Sequence, residues 1–335
     1  MPFRPALAPL SGSGAVDPIP LGLGAAPLGN LFSTVSDQQA EETITAAWDL
    51  GIRTFDTAPL YGYGESERRL GEALGRYPRD EFVVSTKVGR LIRHGAPPSP
   101  EQLFGGEHFY KVDGDVNPVF DYSHDGVLRS VEESLQRLGL DRIDLLYIHD
   151  PDEHFADALG GAFPALRQLR DEKVVRGIGV GMNQTAMLAA FAKEADFDYF
   201  LVAGRYTLLD QQAADELFPL CEERGIGVVS GGVFNSGILA APIDDATYDY
   251  VPAAPEMLTR ARRIQEICLS FGVELASAAM QFPHRHAATA AVLLGARSAE
   301  EIRTNAQLYR SPIPSALWDA LADEGLIREQ EEVRS

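Results

Sequence analysis

The chain has 335 residues, 45% hydrophobic and 23% charged, and Asp+Glu 49 against Lys+Arg 29 leave a formal net charge of −20. This is the composition of a globular protein with a sizeable core. So negative a surface repels nucleic acid and anionic lipid, and no run of about 20 apolar residues is present to cross a membrane.

The first residues, MPFRPALAPLSGSG, lack the apolar stretch of a secretory leader, so a cytoplasmic location is expected. In chain order, IPLGLGA over 19–25 predicts a first strand. QQAEETITAAWDLG then predicts a helix, with Ile44, Ala47 and Leu50 at helical spacing and Gly51 closing it. A second short run, RTFDTA over 53–58, leads through a glycine-rich bend, YGYG, into the helix-like ESERRLGEAL. FVVSTKV over 82–88 is the third strand. SHDGVLRSVEESLQRLG repeats Val127, Val131, Leu135 and Leu138 every three or four residues and stops at Gly139. Further strands are expected at 143–149, 175–181, 199–203, 226–232 and 289–296. Between and around them lie helical stretches at 159–173, 185–194, 211–224, 256–271, 274–283 and 299–309. Cys221 and Cys268 fall on these helices and read as reduced thiols. The end of the chain, EGLIREQEEVRS, reads as a solvated acidic tail.

The strand candidates are short, β-branched and apolar without alternation, as in a parallel sheet buried on both faces. Eight β-then-α units predict one α/β domain over 1–335, a closed (β/α)8 TIM barrel with its core at about 18–325. The competing architecture is a doubly wound open sheet. It lacks its G-x-G-x-x-G, since GLGAAPLG has the wrong spacing. Residues 90–124 after the third strand and 233–255 after the seventh exceed ordinary loop length, and both fall where a barrel builds its pocket. The first carries Phe104, Phe109, Tyr110, Phe120 and Tyr122, walls suited to a sugar or a planar ring.

Barrel chemistry concentrates at the C-terminal ends of the strands. There stand Asp56 on the second, with Tyr61 just beyond, Lys87 on the third and His149 on the fourth. Each alone has an ordinary explanation, as a cap, packing, a solvated cation or a bystander. Together they suit proton transfer through a phenol. An ammonium beside Tyr61 is expected to lower its ionisation range, Asp56 to aim Lys87, and His149 to hold a carbonyl or hydroxyl oxygen. No side chain carries hydride, so a nicotinamide is implied. No metal is expected, because in the HRH of 284–286 the two imidazoles do not share a helix face.

These residues lie in DTAPLYGYGESERRLGEAL, VVSTKVG and SVEESLQRLGLDRIDLLYIHDPD, which with VRGIGVGMNQ and LGARSAEEIRTN resemble the aldo-keto reductases over about 18–310. The resemblance implies a barrel, a catalytic tetrad of Asp56, Tyr61, Lys87 and His149, and NAD or NADP lying across the mouth. It places cofactor contacts at Asn183, Ser230, Val233, Phe234 and Ser236, and at Gly295, Arg297, Ser298, Glu301 and Asn305. Two departures stand out: Met182 precedes Asn183 where serine is usual, and Ala203 replaces a glutamine. NADPH-specific members tend to carry a lysine near Gly295 and an arginine near Glu301; neither is present here, which leans toward NAD, while Arg297 is implied on a ribose phosphate or stacked on adenine. Within the family the chain looks most like the group that oxidises aldoses at C1, or pyridoxal, so a sugar hemiacetal is the expected substrate and a general aldehyde the alternative. Asp150 is a candidate for sugar hydroxyls or for a loop salt bridge. A Schiff-base aldolase using Lys87 and a non-catalytic nicotinamide-sensing subunit are the rival readings. No obligatory protein partner is expected.

Overall fold

Eight short parallel strands close on themselves in chain order: β1 (Leu21–Gly24), β2 (Thr54–Asp56), β3 (Val83–Val88), β4 (Leu145–His149), β5 (Gly177–Met182), β6 (Tyr199–Ala203), β7 (Gly227–Gly231) and β8 (Thr289–Gly295), which pairs back to β1. This is the expected (β/α)8 barrel. The computed structural model describes residues 20–98, 103–104, 107–112 and 114–329, without the side chains of Phe104 and Glu107. The expectations for the first 19 residues and for the last six of the acidic tail lie outside the described residues.

The helices are α1 (Asp37–Asp49), α2 (Glu65–Leu74), α3 (His124–Leu138), α4 (Phe163–Asp171), α5 (Thr185–Glu194), α6 (Leu217–Arg224), α7 (Pro255–Ser270), α8 (Leu275–Gln281), α9 (Ala299–Tyr309) and α10 (Ser315–Asp323). Local chemistry sets their ends. Ser123 caps α3 by accepting from the Gly126 amide at 3.1 Å, and Gly139 ends it at φ 61°. Such a cap is worth about 1 kcal/mol.

Alternation along the strands sorts two apolar layers. Ile178, Val180 and Met182 of β5 face out and join the large core beneath the helices. The smaller inner cluster holds Val83, Leu145, Tyr147, Tyr199, Leu201, Val229, Ala291 and Leu293. Alternating with Ile178, Val180 and Met182 stand Gly177, Gly179 and Gly181, and the missing side chains of Gly177 and Gly179 make room for the Tyr199 and Tyr147 rings of neighbouring strands. A Cβ on Gly179 would lie 2.0 Å from the Tyr199 carbonyl oxygen and 2.9 Å from the Tyr147 ring.

The two long loops are more ordered than the sequence suggests. Arg90–His94 pairs antiparallel with Val116–Phe120, and Thr247–Tyr248 pairs with Val251–Pro252. The stretch expected as one helix over 159–173 begins with a π-helical turn, Ala158–Ala162. That over 211–224 is a 3-10 turn, Gln212–Ala214, followed by α6. The helix α10 was not expected.

Candidate active site

The strand order places the ends of β2, β3 and β4 side by side. Asp56 closes β2. Its Oδ1 accepts from Ser85 Oγ at 2.7 Å, and its Oδ2 accepts from Lys87 Nζ at 2.6 Å. Lys87, the next-to-last residue of β3, also donates to the Thr57 carbonyl at 2.8 Å. Both side chains are buried, 3% and 1% exposed. An ion pair so desolvated is sound only when its remaining hydrogen-bond positions are filled. Ser85 and Thr57 fill two of them.

Tyr61 reaches this pair because the bend after β2 folds tightly. Its amide donates to Ala58 O at 3.0 Å and its carbonyl accepts from the Ser66 amide at 3.1 Å, at the start of α2. The bend packs backbone to backbone on the β1 loop: a Cβ on Gly62 would lie 2.4 Å from Gly29 O, and one on Gly29 2.6 Å from the Tyr61 carbonyl carbon. Only glycine permits that approach. Lys87 Nζ then sits 4.6 Å from the Tyr61 ring centroid, and the His149 ring meets Tyr61 edge-on at 5.6 Å. All four residues singled out from the sequence therefore meet at one rim.

His149 ends β4. Its carbonyl accepts from Arg90 Nη1 at 2.9 Å and from Tyr122 Oη at 3.0 Å, while its Nε2 lies 3.3 Å from Asp150 Oδ2. Arg90 is brought here by the hairpin after β3, with its guanidinium over the Phe120 ring at 4.8 Å.

Burial, and then the cations Arg90 and Lys87, hold His149 well below the usual imidazole range, so it is neutral at neutral pH. Tyr61 departs from expectation. Burial, and then the charges of Asp56 and Asp150 and the Tyr250 phenol, push it well above the usual phenol range, with Arg90 opposing. The expected lowering by Lys87 does not prevail: burial dominates, and Asp56, paired with that ammonium at 2.6 Å, itself pushes the phenol up.

The candidate cofactor residues form two groups around the mouth. Ser230 lies on β7 with its Oγ buried and without a hydrogen-bond partner among the described residues; Asn235 Oδ1 is in the same state. Asn235, Ser236 and Gly237 are consecutive left-handed residues at φ 44°, 62° and 107°, a backbone shape that builds anion-binding concavities. Val233 is buried, and Phe234 is half-buried and packs against the main core. Ser236 Oγ accepts from the Tyr250 amide at 3.0 Å and so holds its own loop. Asn183 is exposed just past β5, and its carbonyl accepts from Arg205 Nε at 3.0 Å.

The second group surrounds the start of α9. Ser298 caps the helix, accepting from the Glu301 amide at 3.1 Å, and Glu301 Oε2 accepts from the Arg297 amide at 2.8 Å. Arg297 Nη1 donates to Ser33 Oγ at 2.9 Å. Gly295 ends β8 and Asn305 is half-buried on α9. Two orphaned polar atoms, a left-handed cradle and a helix N-terminus along one rim fit an extended dinucleotide.

Three rings from three loops close over the mouth. Phe32 lies 5.5 Å from both Phe109 and Tyr250 between ring centroids. Below them Tyr110 lies 6.1 Å from Tyr61. Phe120 and Tyr122 pack instead against His154. Arg205 joins its own loop to the one after β7, bidentate to Asp249 at 3.0 and 2.8 Å. Arg90, Arg205, Phe32 and Tyr250 were not found from the sequence. Only Arg90, two residues beyond a strand end, carried a positional signal. His284 and His286 face apart, His284 toward Tyr309 at 2.7 Å and His286 toward Glu222 at 3.6 Å.

The profile of the Aldo/keto reductase family matches residues 20–323. The chain belongs to the aldo/keto reductase family. A D-threo-aldose 1-dehydrogenase from Pseudomonas sp. is 47% identical over 313 residues, 92% of this chain and 94% of that one. A pyridoxal 4-dehydrogenase from Microbacterium luteolum is 46% identical over 326 residues, again 92% and 94% of the two chains. A glycerol dehydrogenase from Gluconobacter oxydans superposes with a TM-score of 0.72 at 20% identity, covering 99% of this chain and 100% of that one, which shows a shared fold. As an aldo/keto reductase the protein is an oxidoreductase of small molecules that works with a nicotinamide dinucleotide. Among the described residues no helix is long and apolar enough to cross a membrane.

Proposed function

We propose that this aldo/keto reductase is an NAD-linked aldose 1-dehydrogenase, taking a ring hemiacetal to its lactone. The observation that carries the reading is the Tyr61 phenol standing above Lys87 and edge-on to a neutral His149. Bound nicotinamide supplies the hydride acceptor or donor. The chain supplies the rest. His149 donates a hydrogen bond to the reacting oxygen through a ring nitrogen, and Tyr61 exchanges the proton with that oxygen. Lys87, held by Asp56 and Thr57, keeps a positive charge under the phenol. The phenol is the resting form, ready to give its proton in the reductive direction, and oxidation gains as the phenolate is populated. The likeness to a D-threo-aldose 1-dehydrogenase supports the substrate class.

The choice of NAD rests on Glu301. Its carboxylate sits on the backbone amide of Arg297 at the start of α9, where a 2′-phosphate would meet like charge. A planar pyridine aldehyde or hemiacetal is the second reading, favoured by the ring cluster of Phe32, Phe109 and Tyr250 and by the similarity to a pyridoxal 4-dehydrogenase. A Schiff-base role for Lys87 does not suit an ammonium that is 1% exposed and ion-paired at 2.6 Å.

The test is a panel of L-fucose, other aldoses and pyridoxal with NAD and NADP, followed by absorbance of the reduced cofactor, on wild type and Tyr61→Phe. Tyr61→Phe is expected to lose about 10²- to 10⁴-fold in turnover while still binding NAD by calorimetry. Near-normal turnover in that variant removes the mechanism, and a wild type that oxidises no sugar removes the substrate class.

A further inference from the structure

Asp150 follows His149 at the end of β4 with a left-handed backbone, φ 38°. Aspartate is one of the few residues with a side chain that tolerate that conformation, and here the surroundings hold it. The Asp150 amide donates to Gly181 O at 3.0 Å, extending the β4–β5 ladder by one residue, and its carbonyl accepts from Tyr122 Oη at 3.2 Å. The fixed backbone turns the carboxylate back over the strand end. Oδ2 then lies 3.3 Å from His149 Nε2 and 3.8 Å from Arg90 Nη1. After burial, the same carboxylate is among the charges that raise the phenols of Tyr61, Tyr110 and Tyr250.

We propose that Asp150 is a specificity-determining residue whose carboxylate receives a substrate hydroxyl on the carbon next to the reacting one. The site would then select 2-hydroxy aldehydes and their ring hemiacetals over aldehydes that lack this hydroxyl. The inference rests on the reading in which His149 and Tyr61 hold the reacting oxygen. An oxygen placed at His149 Nε2 enters the space that Asp150 Oδ2 shares with that nitrogen. A substrate with a neighbouring hydroxyl returns a donor to the carboxylate. A substrate without one adds no hydrogen bond to the carboxylate. A hydrogen bond from the hydroxyl to a charged acceptor then favours the substrate that carries it over the analogue that does not.

The minimal pair of probes is lactaldehyde and propanal, which differ by the 2-hydroxyl alone, reduced by the full-length protein with NADH. Wild type is expected to favour lactaldehyde by about 10- to 100-fold in kcat/KM, the scale of one hydrogen bond to a charged group. Asp150→Ala should lose about 10- to 100-fold more on lactaldehyde than on propanal. Asp150→Asn, which tolerates the left-handed backbone and keeps one acceptor oxygen, should lose less but with the same bias. Equal losses on the two aldehydes would mean that Asp150 only orients His149, and an undiminished lactaldehyde preference in both variants would mean that it does not touch the hydroxyl. Either result overturns the proposal. Because the aldehydes are read in the reductive direction, this outcome is separate from whether L-fucose is oxidised, which decides the aldose dehydrogenase reading.

Discussion

Lys87 Nζ lies 2.6 Å from Asp56 Oδ2, joining the ends of two adjacent strands by an ion pair that is closed to solvent. Removing one partner of such a pair leaves an uncompensated buried charge. Asp56→Ala is therefore expected to lower the unfolding free energy by about 3–5 kcal/mol. Asp56→Asn, which keeps an acceptor for Lys87, should cost less. Denaturant unfolding of the three proteins checks the order, and wild-type stability in Asp56→Ala would show the pair to be solvated.

The raised phenol of Tyr61 fixes a sign for its titration. A group whose ionisation range lies above the usual phenol value is protonated through neutral and mildly alkaline pH, and its anion appears only later. Ultraviolet difference titration of the ligand-free protein against Tyr61→Phe should show the Tyr61 phenolate emerging above the ordinary tyrosine range. Weakening the causes should move it back. Asp150→Asn removes one of the charges that push the phenol up, so its phenolate should appear at lower pH. Arg90→Met removes the cation that opposes them and should shift it higher. A phenolate already present near neutrality would restore the role first expected of Lys87.

The glycines of β5 give a contrast within one strand. A Cβ at Gly179 would lie 2.0 Å from the Tyr199 carbonyl oxygen, a backbone atom that cannot step aside, whereas at Gly181 the nearest atom is 3.4 Å away, in the Leu201 side chain. Gly179→Ala is expected to cost about 3 kcal/mol or more, or to prevent folding, and Gly181→Ala about 1 kcal/mol or less. Thermal unfolding monitored by circular dichroism distinguishes them, and similar melting of the two variants would refute the packing argument.

The barrel was legible because its signals are local and repeated. Each strand is a short apolar run bounded by turn residues, and the observed strand ends fall within two residues of those expected. The tetrad was legible for the same reason, since a strand end is a position along the chain. Arg90, Phe32 and Tyr250 were not, because they become neighbours of the site only when loops after β1, β3 and β7 meet above it. The hairpin Arg90–His94 with Val116–Phe120 hid in the same way, with a partner strand more than twenty residues further on. The ionisation of Tyr61 was misjudged because the sequence shows Lys87 and its partner Asp56 but not how deeply the phenol is buried, which is the largest cause of its raised range. Contacts to a dinucleotide at Asn183, Ser230, Phe234 and the α9 residues came from the family resemblance alone, because a loop backbone that cradles phosphate leaves no periodic signal in sequence.

Glu301 provides the last expectation. Its amide donates to Ser298 Oγ at 3.1 Å and its Oε2 accepts from the Arg297 amide at 2.8 Å, so one residue both completes the cap of α9 and fills the anion position at its start. A carboxylate there stabilises the helix terminus and opposes a second anion. Glu301→Gln keeps the acceptor oxygen and the cap while removing the charge. It is expected to raise the affinity for NADP relative to NAD roughly tenfold, the scale of a charge at a helix terminus, chiefly through tighter NADP binding. Isothermal calorimetry with each nucleotide reads this directly, and Ser298→Ala separates the contribution of the cap from that of the charge. If Glu301→Gln leaves the ratio unchanged, the 2′-phosphate does not approach α9 and nucleotide selection lies elsewhere on the rim.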